Sequence, residues 1–131
     1  MISLKTRLIS FLFKLAGIPW LKPLVVIFFN HMNQFLPIDR LYEGEFWEAF
    51  HHPNPSYPLH ILMLPKSAIP SLVQAPKNQI DFYSDLFSII QHLIQDFNLE
   101  ERGYRLITNG GPNQSLPQWH WHLISEEDNS H

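Results

Sequence analysis

The chain has 131 residues, of which 45% are hydrophobic and 16% are charged. This length and composition predict one globular domain with a workable core and argue against intrinsic disorder. The chain contains no cysteine, which excludes a disulfide framework, thiolate catalysis and a thiolate metal site. The formal net charge is −3. The chain therefore has no excess of basic residues of the kind that binds nucleic acid, and nucleic acid is not an expected partner.

The charge is distributed unevenly along the chain. Residues before Asp39 carry four basic side chains, Lys5, Arg7, Lys14 and Lys22, and no acidic one, which makes this part +4. The rest of the chain carries five bases and twelve acids and is therefore −7. A basic N-terminal segment on an acidic domain needs an explanation of its own.

Residues 1–36 predict two short apolar helices, one from Met1 to Gly17 and one from Pro23 to Phe35. Neither run reaches the roughly 20 apolar residues that a membrane-spanning helix needs, and no small-residue cleavage site follows to indicate an export signal. A helical cap packed on the domain is one interpretation. The other is attachment to an anionic membrane surface, where basic amphipathic helices with Trp and Phe lie in the interface. The one-sided charge favours the second, and predicts a cytoplasmic protein at the membrane periphery.

The remaining chain predicts a domain over residues 37–125, followed by a polar tail over residues 126–131. The clearest element is a helix from Gln79 to Phe97, because its apolar residues follow the i, i+3, i+4, i+7 spacing. The order strand, strand, helix, strand, strand is typical of an α+β fold with an antiparallel sheet. Residues 37–44 are expected to be a connection, and the predicted strands are Glu45–His51, Leu59–Leu64, Tyr104–Thr108 and a last strand that carries Gln118 to Ile124.

The last predicted strand contains the most distinctive pattern in the chain. Successive side chains on a strand point to opposite faces, so Gln118, His120 and His122 share one face while two tryptophans and a leucine share the other. Three interpretations of the polar face stay open. The histidines are solvent-facing, or they bind zinc as an HxH pair, or one imidazole is a nucleophile that its neighbours orient. The glycine turn just before the strand offers backbone N–H groups that suit a phosphate.

Two separated segments resemble the histidine-triad (HIT) family. QWHWHLI, residues Gln118–Ile124, resembles the family's HφHφHφφ signature, and Asn109–Pro117 resembles the Asn–Gly–Gly–Gln–Ser segment before it, two residues shorter. FHHPNPSYPLHILMLPK, residues Phe50–Lys66, resembles the family's strand–loop–strand block. The likeness covers Leu41–Ser125 and leaves out residues 1–36. It implies a HIT-like antiparallel sheet with a central helix, preceded by a helical extension.

The resemblance also implies catalytic roles. His120 matches the family's nucleophile toward the α-phosphorus, and His122 matches the histidine that binds and orients phosphate. Gln118 stands at the position of the first histidine, where an amide still hydrogen-bonds a neighbouring imidazole but cannot carry its proton. His60 matches a histidine at the start of the second strand, for which a buried, hydrogen-bonded structural role is expected. The positions implied for substrate binding are Asn109, Gln114 and Ser115 around the phosphates, and Phe50, His51 and His52 around the base and ribose.

The implied reaction is two in-line steps through a covalent phosphohistidine on His120, with no metal or other cofactor. The expected protein is a nucleotide hydrolase or nucleotidyl transferase that cleaves a phosphoramidate or a phosphoanhydride, with a homodimeric assembly. The alternative is a non-catalytic nucleotide-binding module in which Gln118 marks a lost activity.

Overall fold

A computed structural model describes residues 40–127 of the chain. The predicted helices of residues 1–36 and the last four residues of the tail lie outside this part. Five strands form one antiparallel sheet in the spatial order β1-β2-β3-β5-β4. The elements are β1 (Arg40–Glu43), β2 (Trp47–His51), β3 (Leu59–Pro65), helix α1 (Ile80–Asp96), helix α2 (Leu99–Arg102), β4 (Arg105–Thr108) and β5 (Trp121–Ser125). The predicted α+β class with an antiparallel sheet is confirmed.

Helix α1 covers one face of the sheet and builds the main core there. Its buried residues follow the predicted helical stripe, because positions three and four apart lie on the same face of a helix. Opposite them lies every second residue of the strands, because side chains alternate along a strand and those two positions apart share one face of the sheet. The main core contains Phe82, Leu86, Ile89, Ile90 and Leu93 of α1 together with Trp47, Ala49, Leu59, Ile61, Met63, Trp119 and Leu123.

Asp85 of α1 holds the turn between β1 and β2 against the helix. Its carboxylate accepts the backbone N–H groups of Phe46 at 2.9 Å and Trp47 at 3.0 Å. Gly44 lies so close that an added Cβ would stand 2.1 Å from a carboxylate oxygen of Asp85. A glycine is therefore required here because the turn lies so close to Asp85, and not because the backbone needs extra conformational freedom. The side chain of any larger residue would displace the helix or the turn.

Three predicted boundaries differ from the structure by more than one residue, of which the smallest is the start of β2, at Trp47 instead of Glu45. Arg40–Glu43 was expected to be part of a connection, but it pairs with β2 as an edge strand. The last strand begins at Trp121 instead of at Gln118. Its pairing with β3 stops at Met63, and the segment before it hydrogen-bonds to the loop after β3 instead, where the backbone N–H of Trp119 donates to the carbonyl of Ile69. Within residues 40–127, no helix is long and apolar enough to cross a membrane.

Candidate functional site

The sheet face that α1 leaves uncovered carries a cluster of four histidines. Residues Leu62 and His122 are direct partners across β3 and β5, and His60 is the partner of Ile124. This register places the His60 and His122 rings 5.1 Å apart. The His52 ring, in the loop after β2, stacks on His60 at 4.3 Å. The His120 ring lies 4.8 Å from that of His122.

Hydrogen bonds determine which nitrogen of each ring carries the proton. The backbone N–H of Ser56 donates to Nδ1 of His60 at 3.1 Å, so neutral His60 carries its proton on Nε2. That Nε2 lies 2.8 Å from Nδ1 of His122 and donates to it. His122 in turn carries its proton on Nε2, because a neutral imidazole has one donor and one acceptor. His122 is thus a donor to whatever binds beside it.

His120 has the opposite arrangement. Its Nδ1 lies 2.7 Å from the backbone carbonyl oxygen of Gln118, which only accepts, so Nδ1 carries the proton and Nε2 keeps its lone pair. The His120 side chain is held in place because the residue is 3% exposed and because the hydroxyl of Thr108 donates to its carbonyl at 2.8 Å. His120 therefore offers a nucleophilic nitrogen next to the N–H donor of His122.

The segment that contains Gln118 and His120 is not a strand and does not face solvent. Each residue is 3% exposed and His122 is half-buried, which contradicts the interpretation of solvent-facing histidines. The burial comes from the loop after β3: Trp119 donates its backbone N–H to Ile69 at 2.7 Å, and Gln118 donates its side-chain amide to the Ser67 carbonyl at 3.1 Å. The expected hydrogen bond between the Gln118 side chain and an imidazole is replaced by one in which the Nδ1–H of His120 donates to the Gln118 backbone carbonyl.

The predicted phosphate-binding residues lie in the loop between β4 and β5. Gln114 donates its amide group to the carbonyl oxygens of Pro70 at 2.6 Å and Leu116 at 2.7 Å. Both amide hydrogens are used in these contacts, so Gln114 ties the loop between β4 and β5 to the loop after β3. Ser115 is exposed. Asn109 lines a cavity of about 190 Å³ together with Tyr57, His60, Ile107, His122 and Ile124.

The predicted base and ribose positions are separated by the sheet. Phe50 is 1% exposed and lies on the histidine face, where it packs with Leu62. His51 points to the other face, with its ring 6.0 Å from that of Phe97 at the end of α1, because neighbouring strand residues alternate. His52 joins the histidine cluster, and its Nδ1 accepts the backbone N–H of Asn54 at 2.9 Å. The structure thus brings Phe50 and His52 to the site and places His51 on the opposite face.

Two residues of this site were not predicted to belong to it. His60 is buried and hydrogen-bonded as expected, but its partner is His122, so it belongs to the cluster itself. Tyr57 lies edge-on to His60 at 5.4 Å and lines the cavity. The sequence feature that could have indicated His60 is the alternation along β3, which places its side chain on the same face of the sheet as that of Leu62. Tyr57 lies in a proline-rich loop whose path no sequence pattern indicates.

The electrostatics of the cluster favour neutral imidazoles. Burial, reinforced by the neighbouring rings, lowers the pKa of His122 to about 3 and that of His52 to about 4. Burial also lowers the pKa of His60 and of His120, although in His120 the hydrogen bond to the Gln118 carbonyl opposes it. Charging any of these rings would place a cation in a desolvated site beside other rings. At neutral pH, His120 therefore keeps the lone pair that a nucleophile needs.

The part of the chain from Arg40 to Glu127 contains no group of three or more His, Asp or Glu side chains placed to hold a metal ion. The hydrogen bonds already described use Nδ1 of all four clustered histidines. A ligand in this site would therefore meet the Nε2 atoms of His120 and His122, one an acceptor and the other a donor.

The fold and the site define an α+β domain in which a buried imidazole with a free ring-nitrogen lone pair lies beside an imidazole N–H donor. The HIT domain family model matches residues 34–129. The chain belongs to the HIT domain family. The predicted HIT-like fold is thereby confirmed.

Individual relatives agree with this assignment. A HIT-like protein of Buchnera aphidicola is 30% identical over 100 residues, which cover 75% of this chain and 89% of the relative. A HIT family hydrolase from Clostridium thermocellum has a similar structure, with a TM-score of 0.67 and 29% identity, over 80% of this chain and 93% of that chain. A histidine triad nucleotide-binding protein from Candida albicans has a TM-score of 0.66 and 26% identity, over 79% of this chain and 76% of that one.

Proposed function

We propose that this protein is a nucleotide hydrolase or nucleotidyl transferase that acts at the α-phosphate through a covalent phosphohistidine on His120. The observation that carries the proposal is the bare Nε2 of His120, whose other ring nitrogen is committed to the Gln118 carbonyl at 2.7 Å. Two similar structures, one named a hydrolase and one named a nucleotide-binding protein, support the class of substrate and reaction.

In the first step, the lone pair on Nε2 of His120 forms a bond to the α-phosphorus. The bond from phosphorus to the leaving group breaks, and the leaving group departs with that electron pair. As the new bond forms, positive charge develops on the His120 ring, and the carbonyl of Gln118 stabilises it by accepting the Nδ1–H. The Nε2–H of His122 stabilises negative charge on a phosphoryl oxygen in the same transition state.

In the second step, a water or another acceptor hydroxyl attacks the phosphorus from the side opposite the phosphorus–nitrogen bond. That bond breaks, its electron pair returns to Nε2 of His120, and the attacking oxygen loses its proton to solvent. The product is the nucleoside monophosphate if water attacks, or a new ester if another hydroxyl attacks. The hydrolase and the transferase thus differ only in the acceptor.

The second candidate is a non-catalytic nucleotide-binding module. The observation that favours it is the amide of Gln118, which is committed to the carbonyl of Ser67 at 3.1 Å and cannot carry a proton to a leaving group. In that case the donor on His122 and the cavity beside Asn109 would bind a phosphate without His120 forming a bond.

Intact-mass measurement of a nucleotidyl adduct tests the proposal. The full chain is incubated with a panel of nucleotide phosphoramidates and dinucleotides and quenched at high pH, where a phosphorus–nitrogen bond to histidine survives. We expect an added nucleotidyl mass in the unmodified protein and in the control variant His92→Ala, which alters an exposed histidine on α1. His120→Ala should show no adduct and should lose at least about 10⁴-fold in turnover, as removal of other covalent nucleophiles does. Binding without any adduct or turnover would instead identify the module.

A further inference from the structure

The cavity beside His122 lies on the half of the histidine face that β4 and β5 form. Its volume is about 190 Å³. Ile107 of β4 is the direct partner of His122, and Ile124 of β5 is the direct partner of His60. The register of three strands thus assembles this space, which we call the β4 cavity. Its walls are Tyr57, His60, Ile107, Asn109, His122 and Ile124.

The walls of the β4 cavity are uncharged at neutral pH, because burial lowers the pKa values of His60 and His122. Both ring nitrogens of His60 are used within the chain, one by the backbone N–H of Ser56 and the other by Nδ1 of His122. The His60 ring therefore offers only carbon atoms to a ligand. The two isoleucines are aliphatic, and the Tyr57 ring lies edge-on to that of His60 at 5.4 Å. The lining is apolar apart from the amide of Asn109, the Tyr57 hydroxyl and the Nε2–H of His122.

The β4 cavity lies on the side of His122 that faces away from His120. His120 precedes His122 in the chain and Ile124 follows it, and a strand advances by about 3.4 Å per residue. The His120 ring lies 4.8 Å from that of His122 and forms no wall of the cavity. A phosphate that meets Nε2 of both rings therefore has the nucleophile on one side and the cavity on the other.

In-line attack places the leaving group on the far side of the phosphorus from the nucleophile, whereas the nucleoside oxygen occupies a sideways position. We propose that the β4 cavity binds the leaving group and selects one that carries a single uncharged aromatic ring, such as benzylamine. The inference rests on the proposed phosphohistidine chemistry at His120. With such a phosphoramidate, the phosphorus–nitrogen bond breaks and its electron pair stays on the amine nitrogen. That nitrogen takes one proton from solvent and leaves as a neutral amine.

The volume and the surroundings of the cavity fit one uncharged ring. A cavity of about 150 Å³ with aliphatic and aromatic walls binds benzene, and the β4 cavity is slightly larger. A second cavity of about 480 Å³ also borders Ile124 and contains charged side chains. Its arginines already have partners: Arg102 donates to two backbone carbonyls, and Arg105 pairs with Glu126 at 2.9 Å. A leaving group that carries a carboxylate would compete with these contacts.

Three phosphoramidates of the nucleotide that gives the adduct on His120 test the proposal. Their amines are benzylamine, 2-methoxyethylamine and glycine, which are similar in basicity, so differences in rate report how each leaving group fits. We expect kcat/KM for the benzylamine substrate to exceed that of each of the others at least about tenfold, because an apolar pocket discriminates by the apolar groups that it buries. The adduct on His120 should have the same mass with all three, since the leaving group is absent from it.

Variants of the walls assign the preference to the cavity. Ile107→Phe fills it from a half-buried position of an edge strand, and should lower the ratio of kcat/KM for benzylamine over 2-methoxyethylamine at least about tenfold. Tyr57→Ala, in a loop, removes a wall and should raise the ratio for naphthylmethylamine over benzylamine at least about tenfold. Val73→Phe adds the same ring at a position that is 89% exposed and should leave both ratios unchanged. A ratio compares substrates on one preparation, so a loss of folded protein cancels.

The outcomes separate this proposal from the one on which it rests. Equal kcat/KM for the benzylamine and 2-methoxyethylamine substrates, with a normal adduct on His120, would overturn the leaving-group site alone. So would a fastest reaction with the glycine substrate, or a preference for benzylamine that neither Ile107→Phe nor Tyr57→Ala changes. No turnover and no adduct with any substrate would overturn the phosphohistidine mechanism and this proposal with it. A preference for benzylamine that Ile107→Phe removes and Val73→Phe retains supports the β4 cavity as the leaving-group site.

Discussion

The hydrogen bond from His60 to His122 determines whether His122 can donate to a phosphoryl oxygen. His60→Leu removes the N–H donor whose nitrogen, Nε2, lies 2.8 Å from Nδ1 of His122, while an apolar side chain of similar size fills a position that is 6% exposed. His60→Gln is the matched control, because its amide retains an N–H donor. We expect His60→Leu to release His122 into a mixture of its two tautomers and His60→Gln to preserve the native one.

The size of the effect follows from one hydrogen bond. A net contribution of about 1 kcal/mol changes the ratio of the two tautomers about fivefold. With the bond lost and the two tautomers equally populated, the native tautomer falls from about five-sixths to about half of the population. We therefore expect kcat/KM of His60→Leu to fall about 1.7-fold and that of His60→Gln to stay unchanged. His122→Ala removes the donor itself and should cost about 10²–10³-fold. Because His60 acts through His122, adding His60→Leu to His122→Ala should leave the rate unchanged.

The assay has two readouts. Nitrogen-15 NMR of the His122 ring reports its tautomer directly and needs no substrate, and kcat/KM is measured with a nucleotide phosphoramidate. If His60→Leu leaves both ring nitrogen shifts of His122 unchanged, the tautomer argument is wrong. If His60→Leu is as harmful in the His122→Ala background as in the native one, His60 acts by some route other than His122.

Three further predictions follow from the described residues. Acid should destabilise the fold below pH 6.5. The unfolded chain protonates His52 and His122 below an ordinary pKa of 6.5, whereas burial in the folded chain lowers their pKa values to about 4 and about 3. This stability is complete above pH 6.5, and urea unfolding should show a loss of about 1.4 kcal/mol per pH unit for each extra proton bound on unfolding; an unfolding midpoint that is constant from pH 7 to pH 5 contradicts it. Gln118→His should keep activity within about threefold, since a ring N–H can replace the amide that donates to Ser67, whereas complete loss would show that the site depends on the amide. We also expect a homodimer through the β4 edge and the exposed face of α1, where Phe87 is 58% exposed: light scattering should show a dimer that Phe87→Glu weakens, and a monomer across micromolar concentrations refutes it.

Local patterns in the sequence determine a large part of this fold. The spacing of apolar residues in α1 predicts both its limits, to within a residue, and the face that it buries, because a helix repeats every 3.6 residues whatever it packs against. The alternation along β3 and β5 likewise assigns Leu62 and His122 to one side and Leu123 to the other. These are properties of neighbouring residues, so a single sequence contains them.

The composition of the site depends on contacts between distant parts of the chain. His60 and His122 are 62 residues apart and meet because β3 and β5 pair in one register. That register is selected by burial of the whole sheet against α1, since a slip by one residue would turn every apolar side chain to the wrong face. Nothing near either histidine in the sequence contains this information.

The burial of Gln118 and His120 is also a tertiary property. Their alternation with Trp119 and Trp121 predicts a strand, and a strand would have exposed one face. Instead, the backbone N–H of Trp119 and the side-chain amide of Gln118 donate to the carbonyls of Ile69 and Ser67 in the loop after β3, and the ladder between β3 and β5 stops at Met63 and Trp121. The sequence by itself determines that two imidazoles stand two residues apart. The packing of the loops decides that one ring becomes a desolvated acceptor and the other a donor, because desolvation and hydrogen bonding set the position of the proton on each ring.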